Sequence, residues 1–148
     1  MSYQEKKNIV SLISSLLIFG IYSFYVFQKY QDRSLDQTDA FSFWGAFILI
    51  LIPVTIAAKI IISIAFSIFY NVTTNEKEPS FADELDKLIA LKATRNSHYG
   101  FVFGFLLAMG SLVLHMQPSV MFIILICSGL ASEIVGVVSQ LYYYRKGV

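Results

Sequence analysis

Residues 43–70 read FWGAFILILIPVTIAAKIIISIAFSIFY and contain one charged side chain, Lys59, in 28 positions. A bilayer core about 30 Å thick is crossed by about 20 helical residues, so this stretch is long enough to span a membrane. Three further apolar runs lie at 9–27, 99–116 and 120–144. Because backbone polar groups must be paired inside lipid, all four runs predict helices. We expect an all-α fold in which residues 1–148 form a single transmembrane domain, an integral membrane four-helix bundle.

The composition excludes several classes of protein. Of the 148 residues, 56% are hydrophobic and 14% are charged, whereas a soluble domain carries about 25% charged residues. The first run is expected to be a retained anchor, because bulky Tyr22, Phe24 and Tyr25 stand where signal cleavage needs small residues. The single cysteine, Cys127, excludes an internal disulfide and thiol-pair redox chemistry. A net charge of +1 without a dense basic face predicts no nucleic-acid partner.

The basic residues outside the apolar runs predict the orientation of the chain. Cytoplasmic loops of membrane proteins carry an excess of Lys and Arg. With four spans, eight basic residues fall on the side of the termini and two on the other side: Lys6, Lys7, Lys77, Lys87, Lys92, Arg95, Arg145 and Lys146 against Lys29 and Arg33. The sequence therefore predicts a multi-pass protein with both termini in the cytoplasm.

The inner loop between the second and third spans has the pattern of a short amphipathic cytoplasmic helix at about 80–96. Ser80 is the expected N-cap. The apolar face consists of Phe81, Leu85, Leu88 and Ile89. Lys92 and Arg95 continue this face, and their long cationic side chains can reach lipid phosphates. We expect the helix to lie at the inner membrane surface or under the bundle; the alternative is a direct extension of the third span.

Residues 83–97, DELDKLIALKATRNS, directly precede the third span. They resemble the loop motif D-E-R-D-x-x-I-x-x-K-A of a family of small predicted bacterial membrane proteins of unknown function. The matching residues are Asp83, Glu84, Asp86, Ile89, Lys92 and Ala93. Leu85 stands where an arginine is usual. The resemblance implies a four-helix protein, which we place in the bacterial cytoplasmic (inner) membrane; it implies no activity and no substrate.

Two ionisable residues, Lys59 and Glu133, fall inside the apolar runs. A lone charge at the centre of a bilayer costs about 2.5–3.5 kcal/mol on insertion scales. Lys59 lies 15 residues after Trp44, and Glu133 lies 14 residues after Ser119, on spans that run in the same direction. Their depths should therefore agree within a few ångströms. We predict a salt bridge between the second and fourth helices, with a shared water-filled cavity as the alternative.

Small and polar residues recur every four positions beside this pair and predict an intramembrane polar seam. The members are Thr55, Lys59, Ser63 and Ser67 on the second helix, and Ser128, Ser132, Gly136 and Gln140 beside Glu133 on the fourth. Ser11 and Ser15 can add the first helix to the seam. Pro53 removes one backbone hydrogen bond and predicts a kink in the second helix.

Gly100, Gly104 and Ala108 follow a small-x-x-x-small pattern, which lets another helix approach closely. The sequence leaves two partners open for this helix-packing face. One is the first or fourth helix of the same chain. The other is the same face in a second copy, which would make a homo-oligomer.

Metal and cofactor chemistry finds little support in the sequence. His98 and His115 are 17 residues apart, or about 25 Å along one helix, so they cannot bind one metal ion together. The acidic residues at 83, 84 and 86 are accompanied by no nucleophile and no second carboxylate cluster. We expect no cofactor, no metal site and no enzymatic activity.

Two functions are left open by the sequence. The first is a non-enzymatic interaction or regulatory role, in which Lys92 and Arg95 on the cytoplasmic helix contact membrane lipids or a cytoplasmic protein partner. The second is a proton- or ion-coupled small transporter or channel that uses Lys59 and Glu133. The small four-helix multidrug transporters do not fit, because their essential carboxylate lies in the first helix and residues 9–27 contain none. Water around Lys59 and Glu133 would favour the transporter.

Overall fold

The computed structural model describes residues 2–30, 37–75 and 83–147. Within these ranges the chain forms four α-helices: α1 (Tyr3–Tyr30), α2 (Gln37–Thr74), α3 (Glu84–Val113) and α4 (Pro118–Lys146). The all-α prediction is confirmed. Each of α1, α2 and α4 extends beyond the apolar run that predicted it, because polar residues at the ends continue the helical hydrogen bonding.

Three of the helices are long and apolar enough to cross a membrane: Tyr3–Lys29, Asp39–Thr74 and Pro118–Lys146. Only 11%, 6% and 6% of their most apolar segments are buried inside the chain. A surface this apolar is stable only when lipid covers it. The third helix is not among the three, because its apolar part begins only at Tyr99, after the polar residues Asn96, Ser97 and His98.

The separate cytoplasmic helix expected at 80–96 is wrong, since residues 84–113 form one continuous helix. The alternative, in which these residues continue directly into the apolar part of the third helix, describes what the structure contains. Ile89 and Ala93 in the extension, like Gly104 and Ala108 further along, are buried. Ile89 and Ala93 are four residues apart, as are Gly104 and Ala108, and the 11 residues between Ala93 and Gly104 are about three helical turns. The four residues therefore lie on one packing face that continues through both halves of α3. Ser80 and Phe81 lie outside the described residues.

Asp83 caps the start of α3. Its carboxylate accepts the backbone N–H of Glu84 at 2.7 Å, and the carboxylate of Asp86 accepts the backbone N–H of Asp83 at 3.3 Å. This reciprocal arrangement is a capping box. Two acids in the first turn also favour the positive end of the helix dipole.

The connection between α3 and α4 is a tight turn that begins three residues earlier than the apolar run suggested. His115 adopts a left-handed backbone conformation, with φ of 58°. The N–H of Met116 donates to the carbonyl of Ser111, and that of His115 donates to the carbonyl of Leu112. This is the Schellman pattern that ends helices. Pro118 then starts α4, so α3 and α4 are antiparallel neighbours.

The helices form two pairs, α3 with α4 and α1 with α2, and α4 joins the pairs. The most extensive interface joins α3 to α4, and α1 packs against both α2 and α4. In the part of the chain that the structure describes, α3 does not contact α2 at backbone distance, whereas α2 touches α4. A cleft therefore separates α2 from α3, with α1 and α4 behind it.

Candidate site in the membrane interior

The structure brings Lys59 of α2 and Glu133 of α4 together, as their equal depth predicts. The Lys59 Nζ lies 2.5 Å from the Glu133 Oε1. The two side chains are 38% and 24% exposed. The pair is therefore neither sealed in a dry interior nor open at a polar surface, and each group faces an internal space.

Ser15 of α1 completes the site. Its hydroxyl is almost fully buried and donates to the same Glu133 Oε1 at 2.8 Å. This oxygen of Glu133, a residue of α4, thus accepts hydrogen bonds from Ser15 of α1 and Lys59 of α2. The sequence indicated Ser15 only as an addition to the seam, because a serine on an apolar helix can equally well bond to the backbone of its own helix. Its spacing of four from Ser11 was the available signal.

Thr55 and Ser63, the other predicted seam residues of α2, lie one helical turn on either side of Lys59. Thr55 lines the larger of two cavities at the site, and Ser63 lines the smaller. The Thr55 hydroxyl donates to the carbonyl of Leu51 at 2.8 Å. Helix α2 continues through Pro53, which lies inside it.

Ser128 and Ser132, which the sequence assigned to this seam, face α3 instead. The hydroxyl of Ser132 donates to the carbonyl of Ser97 at 2.8 Å, and the two serine oxygens are 2.7 Å apart. Ser128 lies against Gly104. The cause is helical rotation: Glu133 follows Ser132 by one residue, which turns its side chain by about 100°. The predicted row of small residues and the carboxylate therefore serve different interfaces.

The helix-packing face of α3 closes on α4 of the same chain, one of the partners left open by the sequence. A methyl group added at Gly104 would overlap the side chain of Ser128 and lie 3.3 Å from its Cα. At Gly100 the nearest atoms belong to Val135 and Ser132, at 3.8 and 3.9 Å. Ala108 has no exposed surface. The face is thus used within the chain and gives no argument for a second copy.

The larger space, which we name the central cavity, lies in the cleft between α2 and α3. Its volume is about 560 Å³. All four helices contribute to its wall: Ser15, Phe19, Ile48, Leu51, Ile52, Thr55, Ile56, Lys59, Phe101, Leu125, Ile126, Gly129, Leu130 and Glu133. The side chains nearest the termini on α1, α2 and α4 are Ser15, Lys59 and Glu133. The cavity is therefore apolar along its length and charged at one end.

The smaller space, which we name the inner pocket, lies between α1 and α2 on the side of the termini. Its volume is about 240 Å³. The wall consists of Lys7, Asn8, Val10, Ser11, Ser14, Lys59, Ile62, Ser63 and Phe66. Two lysines and three serines line it, and no carboxylate does. Lys59 belongs to both walls, so this residue lies between the two spaces.

Polar contacts tie the helices together on the side of the termini. Asn8 of α1 donates to Gln140 of α4, a contact that the sequence did not indicate because Asn8 lies at the end of its apolar run. Tyr144 donates to Asp86 at 2.8 Å, which joins the ends of α4 and α3. These contacts join α1 and α3 to α4 near the termini.

The residues predicted to contact headgroups have different surroundings. The Lys92 Nζ lies 5.7 Å from the ring centre of Tyr143 on α4, a cation–π contact. Arg95 is exposed. Lys92 thus contacts a residue of the same chain, and of the two residues Arg95 is the one that is exposed to a lipid headgroup or a partner.

Comparisons with known proteins add no assignment. No protein-family model matches the chain, and the searches of curated proteins and of solved structures gave no significant match. The resemblance carried by residues 83–93 stays a prediction. Among the described residues, no three His, Cys, Asp or Glu side chains come together as a metal site would require. Any function has to be argued from the geometry of the central cavity and the inner pocket.

Proposed function

We propose that the protein is a small, non-enzymatic, proton- or ion-coupled membrane transporter whose central groups are Lys59 and Glu133. The observation that carries the proposal is that Lys59 lines both the central cavity and the inner pocket. An ion pair kept only for helix packing would be expected between tightly fitted side chains. Here Lys59 borders both spaces and Glu133 borders the central cavity, which is an arrangement that a gated pathway can use.

The proposal includes a fourth span, formed by α3. The serine pair Ser97 and Ser132, together with the contact between Asp86 and Tyr144, supports a helix that runs beside α4 almost to its last residues. Since α4 is long enough to cross the membrane, a helix that accompanies it from end to end crosses as well. With four spans, the excess of basic residues near the termini favours cytoplasmic ends in a bacterial inner membrane.

In the proposed chemistry, Glu133 exchanges its partner Lys59 for a proton. Glu133 keeps a hydrogen bond from Ser15 when Lys59 moves away, so the carboxyl group can take up a proton without losing every partner. Lys59 has a flexible stem and three donors, and Glu133 is its hydrogen-bond partner in the structure. Its ammonium can therefore turn toward the inner pocket while the carboxyl is protonated. Such coupled steps are a common use of intramembrane charges.

The second candidate function is an interaction role through the cytoplasmic part of α3. The observation in its favour is that Leu85, Leu88 and Leu91 are 49%, 42% and 68% exposed. Lipid headgroups or a cytoplasmic protein could cover them, with Arg95 as the cationic contact. Of the two predicted headgroup contacts, Lys92 lies against the ring of Tyr143, and Arg95 is the exposed one.

Proton flux in proteoliposomes tests the proposal. Purified protein is reconstituted with a trapped pH dye, and a potassium gradient with valinomycin drives proton entry. We expect flux above that of empty vesicles, lost in Glu133→Gln and retained in Glu84→Gln. The control removes an exposed carboxylate at the start of α3, outside the site. Flux equal in Glu133→Gln and the parent would refute a role of this carboxyl in proton transfer.

A further inference from the structure

The central cavity has the form of a binding site for a molecule with an apolar body and one polar end. Its volume of about 560 Å³ lies within the 300–1,000 Å³ that is usual for small-molecule sites. On α2 the lining runs from Ile48 to Lys59, which is about 16 Å by helical rise. Apolar side chains cover most of this length, and the ionisable groups close one end.

The route into the cavity lies on the side of the lipid. No backbone contact joins α2 to α3 within the described ranges, and Phe101 is the α3 residue that lines the cavity. Ile52 and Ile56, which face the same space, are 52% and 55% exposed. A molecule dissolved in the bilayer can therefore enter sideways between the two helices without crossing a polar surface.

Charge decides the sign of the polar end. The one acidic residue in the wall of the central cavity is Glu133, whose Oε1 already accepts from Lys59 and Ser15, and no acidic residue lines the inner pocket, to which Lys59 also belongs. The charged group that faces Glu133 is Lys59 of α2; α1 contributes the Ser15 hydroxyl, and α3 contributes the ring of Phe101 to the same cavity. Lys59 is thus the group that both spaces share, and its ammonium favours a negatively charged partner.

From this arrangement we infer that the central cavity binds a single-chain amphipathic anion, with its tail between α2 and α3 and its acidic headgroup on Lys59. The inference rests on the proposed function, because the site is the same and the anion is its substrate. A carboxylate or a phosphate monoester has the required chemistry, since either accepts hydrogen bonds from an ammonium. A proton on Glu133 keeps the charge of the occupied site balanced while Lys59 holds the anion.

Protection of an introduced cysteine tests this assignment. Ile52→Cys places a thiol in the cavity, and Leu49→Cys places one three residues away on a surface that is 72% exposed and does not line the cavity. Both variants are made in a Cys127→Ser background and embedded in nanodiscs of zwitterionic lipid. Alkylation by a membrane-permeable maleimide is timed with dodecanoate, dodecyl phosphate, dodecyltrimethylammonium or dodecanol present.

Dodecanoate or dodecyl phosphate should slow labelling of Ile52→Cys about tenfold at a concentration about ten times the dissociation constant. Labelling of Leu49→Cys should not change, and Lys59→Met should abolish the protection. Protection by one anion and not the other identifies the headgroup. Equal protection by dodecanol, better protection by dodecyltrimethylammonium, protection that survives Lys59→Met, or no protection by either anion overturns the inference.

The two proposals fail separately in these experiments. Proton flux that depends on Glu133, combined with no anion protection, leaves the transporter and removes its substrate class. If anions protect the cysteine in a way that depends on Lys59 but the parent protein carries no proton flux, the binding site is supported and proton transfer is refuted. Circular dichroism of each variant confirms that the helices are intact before either result is interpreted.

Discussion

Replacing either Lys59 or Glu133 alone should destabilise the protein, and replacing both together should restore most of the lost stability. Removing one partner of a buried ion pair costs about 3–5 kcal/mol, whereas an exposed pair contributes about 0–1 kcal/mol. The side chains are 38% and 24% exposed. We therefore expect Lys59→Met or Glu133→Leu alone to lower the free energy of unfolding by about 2–3 kcal/mol.

The double variant should lose only about 1 kcal/mol, because two apolar side chains suit the apolar wall of the central cavity. The coupling energy of the cycle is then about 3–5 kcal/mol. Reversible unfolding in mixed micelles with a rising fraction of sodium dodecyl sulfate measures all four proteins. Single effects below about 0.5 kcal/mol that simply add would show that the pair contributes nothing to folding.

Two further changes test packing and topology. Gly104→Ala should destabilise the protein, because the added methyl group overlaps Ser128, whereas Gly110→Ala meets nothing within 4 Å and should be neutral or stabilising by up to about 1 kcal/mol; equal melting temperatures of the two would contradict the observed interface of α3 with α4. Cysteines at Asp36 and Lys77 in a protein without Cys127 should be labelled by impermeant reagents from opposite sides, and labelling of both from one side would end the four-span proposal.

The sequence was sufficient for features that follow from helical rise. Lys59 and Glu133 could be paired because each residue advances a helix by about 1.5 Å, which gives depth from residue counts alone. Likewise, only three residues separate the apolar runs 99–116 and 120–144, which requires the two helices to be antiparallel neighbours. Such features depend on distance along the helix axis, and the number of residues in the sequence gives this distance directly.

Features that depend on rotation about the helix were harder to predict. The row of Ser128 and Ser132 stands beside Glu133 in sequence, but the offset of one residue turns it toward α3. The sequence also divided α3 at about residue 96, because hydropathy changes there. Burial of Ile89 and Ala93 continues the packing face of Gly104 and Ala108, and the capping box at Asp83 sets where the helix begins. The sequence offered a shared cavity at Lys59 and Glu133 only as an alternative to the salt bridge, and it could not give the position of the central cavity, because that space results from two helices that do not touch.

Access of water to Lys59 tests the central claim most directly. Ser63 lines the inner pocket, and its neighbour Ile64 is 56% exposed on the outer surface of the same helix and lines neither space. Each is replaced by cysteine in a Cys127→Ser background, and a charged, membrane-impermeant thiol reagent is added on the side of the termini. If the pocket is a water-filled route to the pair, Ser63→Cys should react about tenfold faster than Ile64→Cys, since reaction needs the hydrated thiolate. Equal, negligible reactivity at both positions would mean that the pair is sealed from that side, and the proposed pathway would be wrong.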